Sequence, residues 1–183
     1  MARRIGYTGD PVITLADVAR QCRVEVEDLQ PELIEGVIIP GVTAQAEART
    51  GAAIRTALYE EDWAFGYRRD RAFDVGQVRE VVSVQRVLVG GRLENLEVAP
   101  WLRYVGTEAV PEFPGDLPAG PLRFHYTAGV DLAVHPGVRM WLLISAATAW
   151  EFRESIVSGS SLAELPATFT DALLADITLP PRF

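Results

Sequence analysis

The residues with the most reactive chemistry are two histidines, His125 and His135, one cysteine, Cys22, and the carboxylate run Glu60-Glu61-Asp62. A hydrolytic site could be built on His125 with Asp131 and one of the serines, since members of a catalytic triad need not be close in sequence. The setting argues against it: His125 falls on the outward side of the alternating stretch Leu122 to Tyr126, where an imidazole is ordinarily just solvated. Neither histidine sits at a metal spacing such as H-x-x-x-H, and a single cysteine adds little. Glu60-Glu61-Asp62 could hold a divalent cation, although a short acidic run is ordinarily a solvated face. Gly90-Gly91 reads as a tight hairpin turn, because no G-x-x-x-x-G-K surrounds it and the chain contains no lysine. Arg153 and Glu154 suit charge-assisted pairing within the chain or with a neighbour, and equally an exposed pair that contributes little. No catalytic, metal-ligating or cofactor-binding residue is therefore expected, and no enzyme activity.

The element best placed to organise such groups is the stretch Pro136 to Val157. Val138 to Trp150 is apolar on nearly every side, with Arg139 as its one charge, and turns polar at Glu151. Pro136 suits the first turn of a helix. Val138, Trp141, Leu142, Ser145, Ala149, Phe152 and Ile156 recur at spacings of three and four and make one stripe along the helix; a second apolar face exists only in its first half. One face is expected on the protein's own sheet. The other finishes the core or meets another chain. The apolar run falls short of the ~20 residues a bilayer span needs, so no membrane partner is expected.

Thr14, with Asp17 three positions on, caps a short helix over 15–23. Asp28 caps a longer one over 29–50, in which Pro40-Gly41 predicts a kink or a break and Gly51 a stop. The middle of the chain reads as strands within 54–128. Ala57, Tyr59, Trp63 and Phe65 face one way and Glu60 and Asp62 the other; Val78 to Val89 is β-branched on both faces; Leu93, Leu96 and Val98 make a return strand after Gly90-Gly91. Leu102 to Val105 makes another short strand, and Pro111 to Pro121 is expected to be a loop. Leu122, Phe124 and Tyr126 face inward on a final strand. The expected organisation is one domain over 1–161, with helices over 15–23, 29–50 and 136–157, and an arm over 162–183 with little of its own to fold on. The class is α+β, with helices flanking a small antiparallel sheet.

Composition narrows the role. The 183 residues, 49% hydrophobic and 23% charged, describe a globular chain, and its net charge of −8 makes it a poor wrapper of nucleic acid. It suits instead a surface that DNA passes without sticking. The lone cysteine requires no oxidising compartment, and Met1 to Asp10 lacks the apolar core of a secretory signal. These features point to a protein made in the cytoplasm and used there or built into a particle.

Several pieces in a fixed order carry a family resemblance: Leu15-Ala16-Asp17, Glu47 with Thr50-Gly51, Phe124-His125-Tyr126-Thr127-Ala128-Gly129, Pro136, Trp150-Glu151-Phe152-Arg153-Glu154, and Leu165-Pro166 leading to Asp171-Ala172-Leu173-Leu174. With these, from about Val12 to Leu174, the chain resembles the head-tail connector (adaptor) proteins of long-tailed bacteriophages and related gene transfer agents. It departs from them at Pro40-Gly41, where they have an unbroken helix, and in a longer insertion between Trp101 and Pro121. The resemblance implies a mainly helical domain of about four helices with a small inserted antiparallel sheet. It also implies a structural virion protein, assembled in the host cytoplasm, with about a dozen copies in a ring under the portal. Such a ring extends the DNA channel and meets a stopper or tail protein, without catalysis. A tail terminator or stopper of the same particle, or a small hydrolase using His125, are the competing readings. On this reading Phe169, Leu173, Leu174 and Ile177 are expected to bind the portal. Trp141, Trp150, Arg153 and Glu154 are expected between subunits, and Glu60, Glu61, Asp62, Arg68, Arg69 and Arg71 toward the channel or the tail side.

Overall fold

The alternating run Leu122–Ala128 is the middle strand of a five-stranded antiparallel sheet. The chain is described here by a computed structural model over residues 1–116, 118–152 and 167–181. Its strands are β1 (Ala2–Tyr7), β2 (Ala57–Trp63), β3 (Val78–Val87), β4 (Leu93–Asn95), β5 (Trp101–Val105), β6 (Glu108–Glu112) and β7 (Leu122–Ala128). The large sheet has the order β1-β2-β7-β3-β4, and β5 and β6 form a separate two-stranded sheet. With Met1–Asp10, Gly51–Val130 and Ile177–Phe183 these strands make up one unit; Pro11–Thr50 and Asp131–Asp176 make up a second, helical unit.

In the sheet unit, Leu122, Phe124, Tyr126 and Ala128 of β7 and Ala57, Tyr59 and Trp63 of β2 face inward, as period-two patterning requires. They pack with Phe73, Val78, Val84, Ala109 and Phe113 into one buried cluster. Aromatic rings dominate it: Phe73 lies 4.4 Å from Tyr126 and 5.3 Å from Phe124, and Trp63 lies 4.6 Å from Phe124, centroid to centroid. Gly90 and Gly91, at φ 83° and 79°, turn β3 into β4 in the left-handed region that only glycine adopts freely.

In the helical unit, α1 (Leu15–Cys22) starts at a reciprocal cap: Thr14 Oγ1 accepts from the Asp17 amide at 3.2 Å, and Asp17 Oδ2 accepts from the Thr14 amide at 3.0 Å. Arg23, at φ 58°, ends it in left-handed backbone. A long helical segment follows as α2 (Pro31–Leu33), a π-helical turn (Ile34–Ile38) and α3 (Ile39–Thr50). After it come α4 (Pro136–Glu151) and α5 (Ala167–Ala172).

Several expectations are corrected. The chain is not mainly helical with a small inserted sheet: seven strands in two sheets stand beside the helices among the described residues. Two of those strands gave no usable sequence signal. β1 lacks an apolar alternation, and β6 contains Pro111, which reads as a breaker. Pro111 sits opposite Leu102, at a position whose amide would face away from β5, so the ring removes no ladder hydrogen bond. Pro40-Gly41 does not break the helix, which continues through it after a π-helical turn. The Ile39 amide donates to the Ile34 carbonyl, five residues back, and this wide turn removes the crowding that a proline imposes on an α-helix. Asp28 lies in a separate short turn, Val26–Asp28, and the long helix begins at Gln30 with Pro31 in its first position. Phe65 lies beyond the end of β2 and is exposed. Finally, 167–181 is folded rather than loose: Leu174 and Ile177 are buried, and Leu179 packs on Gly51 and Gly76.

Candidate functional site

The outward side chains of the large sheet line up in rows, because antiparallel register places each one beside its partner on the next strand. One row runs Arg3, Glu60, His125, Ser83 across β1, β2, β7 and β3. Arg3 Nη2 donates to Glu60 Oε1 at 2.9 Å, His125 Nε2 lies 3.3 Å from Glu60 Oε2, and His125 Nδ1 lies 3.1 Å from Ser83 Oγ. Arg123 Nη1 also reaches Glu60 Oε2 at 3.4 Å. The next row runs Asp62, Arg123, Gln85, Asn95. Arg123 grips both oxygens of Asp62, at 2.7 and 2.8 Å, and Gln85 Nε2 donates to Asn95 Oδ1 at 2.7 Å. The Arg123 fork holds the Asp62 carboxyl below its ordinary range. Partial burial pushes Glu60 up, but Arg3 and Arg123 outweigh it and leave it lowered.

A hydroxyl, an imidazole and a carboxylate thus stand in series, as they would in a hydrolase. Two features argue against that chemistry. Glu60 is engaged by two guanidiniums, which weakens it as a partner for an imidazolium. Ser83 lies inside a paired stretch of β3, away from any turn or helix N-terminus where free amides would converge on an oxyanion. The row is a cross-strand ladder of satisfied polar groups. Asp131 is no part of it: its Oδ1 accepts from the Ala133 amide at 2.9 Å in the turn before α4.

Glu61 separates from its neighbours. It is 0% exposed, inside the sheet unit's core. Trp63 Nε1 donates to Oε1 at 2.7 Å, and the Tyr126 hydroxyl and Asp74 amide donate to Oε2 at 2.9 and 3.0 Å. Arg71 Nη2 stands 3.6 Å from Oε1, with its guanidinium 4.8 Å from the Trp63 ring centre. Burial raises the Glu61 carboxyl above its ordinary range, and Asp74 adds to this. Burial and the Glu61 charge likewise push the Tyr126 hydroxyl far up. Strand parity alone carried this signal, since position 61 shares a face with Tyr59 and Trp63.

The other expected site residues scatter. Arg68 pairs with Asp70 at 3.0 Å on the surface, and Arg69 Nη2 donates to the Gly115 carbonyl at 2.7 Å. Trp141 is buried beneath Arg49, whose guanidinium lies 5.7 Å from its ring, and is not displayed for a neighbour; Trp150 is half-buried. Elsewhere on α4, Met140, Leu143 and Ile144 line a shallow concavity of about 380 Å³. Arg153 and Glu154 lie outside the described residues. Of the apolar set near the C-terminus, Phe169 is exposed and Leu173 half-buried, whereas Leu174 and Ile177 are buried.

Among the described residues no group of carboxylates, histidines and cysteine is arranged to hold a metal ion, and no helix is long and apolar enough to cross a membrane. No family model matches the sequence, and neither does any curated protein. Solved structures do match. A chain in the virion of a native gene transfer agent particle superposes with a TM-score of 0.73 at 17% identity, over 100% of this chain and 97% of that one. A chain in the neck of the empty particle, computed with C6 symmetry, gives 0.72 at 13% identity, and one in the native neck, computed with C12 symmetry, gives 0.70 at 16%, both with the same coverage. From end to end, the fold is that of a chain found in the necks of gene transfer agent particles.

Proposed function

We infer that this protein is a structural component of the neck of a phage-like particle, a head-tail connector whose copies form a ring beneath the portal and extend the DNA channel. The likeness to neck chains over the whole length of both partners carries the reading. The C6 and C12 symmetries applied to those necks suit a ring of about a dozen copies. The likeness to chains of virion and neck structures supports a non-enzymatic role. Within this reading, exposed Phe169 and half-buried Leu173 contact the portal, while buried Leu174 and Ile177 hold their own segment in place. The row of Glu60 and Asp62, with Arg68 and Arg69, faces the channel or the tail side.

Co-sedimentation of the purified chain with the portal of the same genome, followed by negative-stain imaging, tests this. An added ring on the portal's outer end is expected. A folded chain that ignores the portal and instead caps tail tubes would make it a tail terminator, and one that binds only a preformed connector ring would make it a stopper.

A further inference from the structure

Two exposed apolar side chains of the sheet unit, Phe65 and Val89, share one local setting. Each stands directly before a left-handed glycine, Gly66 at φ 80° and Gly90 at φ 83°. Phe65 is 80% exposed and Val89 fully so, although turn tips ordinarily carry polar residues. Both tips are held in shape. The rings of Trp63 and Tyr67 lie 5.2 Å apart and pinch the base of the loop that has Phe65-Gly66 at its apex. Trp63 is buried, and the Tyr67 hydroxyl donates to the Pro118 carbonyl at 2.6 Å, so both sides of that base are fixed. At the other tip the Gly91 amide donates to the Leu88 carbonyl at 3.0 Å, and the Leu88 amide to the Arg92 carbonyl at 2.8 Å. Val89 and Gly90 are the central residues of that turn, with the left-handed glycine third, as a type II turn requires. A Cβ on Gly66 or Gly90 would meet nothing within 4 Å, so these glycines serve backbone shape and not close packing. The result is a pair of preformed apolar knobs.

Topology puts the knobs together. β2 and β3 both run antiparallel to β7, so they run parallel to each other on either side of it. Trp63 at the end of β2 and Arg86 near the end of β3 face the same residue, Leu122. Phe65 and Val89 therefore leave the same end of the sheet, from strands two spacings or about 10 Å apart. Leu93, opposite Val87 and also exposed, lies beside them. The other end of the sheet is where the chain passes to and from the helical unit: Asp10 follows Tyr7, Gly51 precedes Ala57 and Val130 follows Ala128, and those strand ends share one register. The chain's return at Ile177 brings Leu179 onto Gly51 and Gly76. The knob end carries no such connection.

Charge decides the class of partner. A polyanion or an anionic lipid surface needs unspent cations beside the apolar tips. Here Arg68 is paired to Asp70 and Arg86 to Glu94, and Arg69 donates to the Gly115 carbonyl. Exposed Arg92 and Asp116 add one charge of each sign. Preformed apolar knobs without surplus charge fit apolar sockets in a folded protein, and their fixed turns spare such a contact the cost of ordering loops. Phe169 and Leu173, the apolar pair proposed above for the portal, belong to the helical unit, which leaves the knobs for a partner on the tail side. We propose that Phe65 and Val89 seat in apolar sockets of the protein that follows this chain on the tail side of the neck. The proposal rests on the neck reading above.

The test compares the full chain with the double variant Phe65→Ser, Val89→Ser, using the portal and the tail-side neck protein of the same genome as separate probes in co-sedimentation. Both side chains are exposed, so the melting temperature and the ring on the portal are expected to match the parent. Affinity of the portal-bound ring for the tail-side protein should fall about a hundredfold in the double variant and about tenfold in each single one. Phe65→Leu with Val89→Ile keeps the knobs apolar and should retain most of the binding. Undiminished binding of the tail-side protein to the double variant would overturn the proposal while leaving the ring intact, and so would a parent ring that ignores the tail-side protein. Loss of the ring itself at a normal melting temperature would set the knobs against the portal or a second copy, and would overturn it too. Binding of the parent but not the variant to phosphatidylserine–phosphatidylcholine vesicles would make them membrane tips instead. A parent chain that binds neither probe would remove both readings.

Discussion

Glu61 carries the most consequence of any single residue. Glu61→Ala leaves the Trp63 and Tyr126 donors and the Asp74 amide without their buried acceptor, and is expected to cost about 3 kcal/mol or more in urea unfolding. A charge reversal aimed at the channel through Glu61 would unfold the sheet unit instead. Its pH signature has a definite sign. A carboxyl whose folded pKa is raised above its ordinary 4.5 binds its proton more tightly in the folded chain, so its contribution is fully present below that value and is lost as pH rises through the folded pKa. Asp17 acts in the other direction. Partial burial pushes it up, but the Thr14 amide and hydroxyl, Arg139 at 2.8 Å and Arg20 at 2.7 Å together hold it below its ordinary 3.8. Its contribution, with those of Glu60 and Asp62, is present above the unfolded values and lost as pH falls through the lowered ones. Glu61→Gln cannot titrate, so the stability gap between wild type and this variant should narrow as pH rises above the ordinary carboxylate value; a constant gap would show that Glu61 stays ionised throughout.

Among the elements, the π-helical turn and the C-terminal segment behave unlike their sequence. The turn inserts one residue into an otherwise α-helical path and accommodates Pro40 without a break. Deleting exposed Gly36 together with Pro40→Ala should restore a regular α-helix with Ile34, Val42 and Ala46 still on one face. Stability is expected within about 1 kcal/mol of the parent, whereas deleting Gly36 alone returns the proline clash and should cost about 3 kcal/mol, read by thermal unfolding. Removing Leu173 to Phe183 strips buried Leu174 and Ile177, and burial of one such side chain is worth about 1.5–3 kcal/mol, so the melting temperature should fall sharply. Gly129 has a plain steric role: a Cβ there would lie 2.6 Å from Thr56 Cα. Gly129→Ala must move backbone and is expected to cost about 1–3 kcal/mol.

At the scale of the whole molecule, the distribution of charge matters most. Glu60 and Asp62 are largely neutralised by Arg3 and Arg123, so the net charge of −8 does not reside on the sheet's outward face. Glu25, Glu27, Asp28, Glu32 and Glu35 carry much of it; all are exposed and none has an ion-pair partner among the described residues. In the proposed ring of about a dozen copies, such a segment would repel phosphate strongly. Replacing Glu27, Asp28, Glu32 and Glu35 with lysine should convert a chain that does not retard duplex DNA at low salt into one that does, with binding that falls steeply as salt is raised.

The sequence by itself determined the local elements whose cause is local. The Thr14-Asp17 cap, the Gly90-Gly91 turn and the alternation of Leu122 to Tyr126 each act through near neighbours and can be read off a few residues. It also determined that α4 is apolar on nearly every side in its first half, while leaving open which face its own fold covers. Tertiary structure alone decided the rest. The sheet unit covers Glu61 because strand parity outranks the polarity of one carboxylate when three donors and Arg71 await it. Pro111 and Pro40 stand inside regular elements because their missing amides fall where no bond is required or where the helix widens. Ser83, His125 and Glu60 meet only through the register of strands far apart in the chain, and buried Trp141 meets Arg49 from a distant helix. Contacts of that kind depend on pairing between distant segments, whose register no stretch of sequence encodes alone.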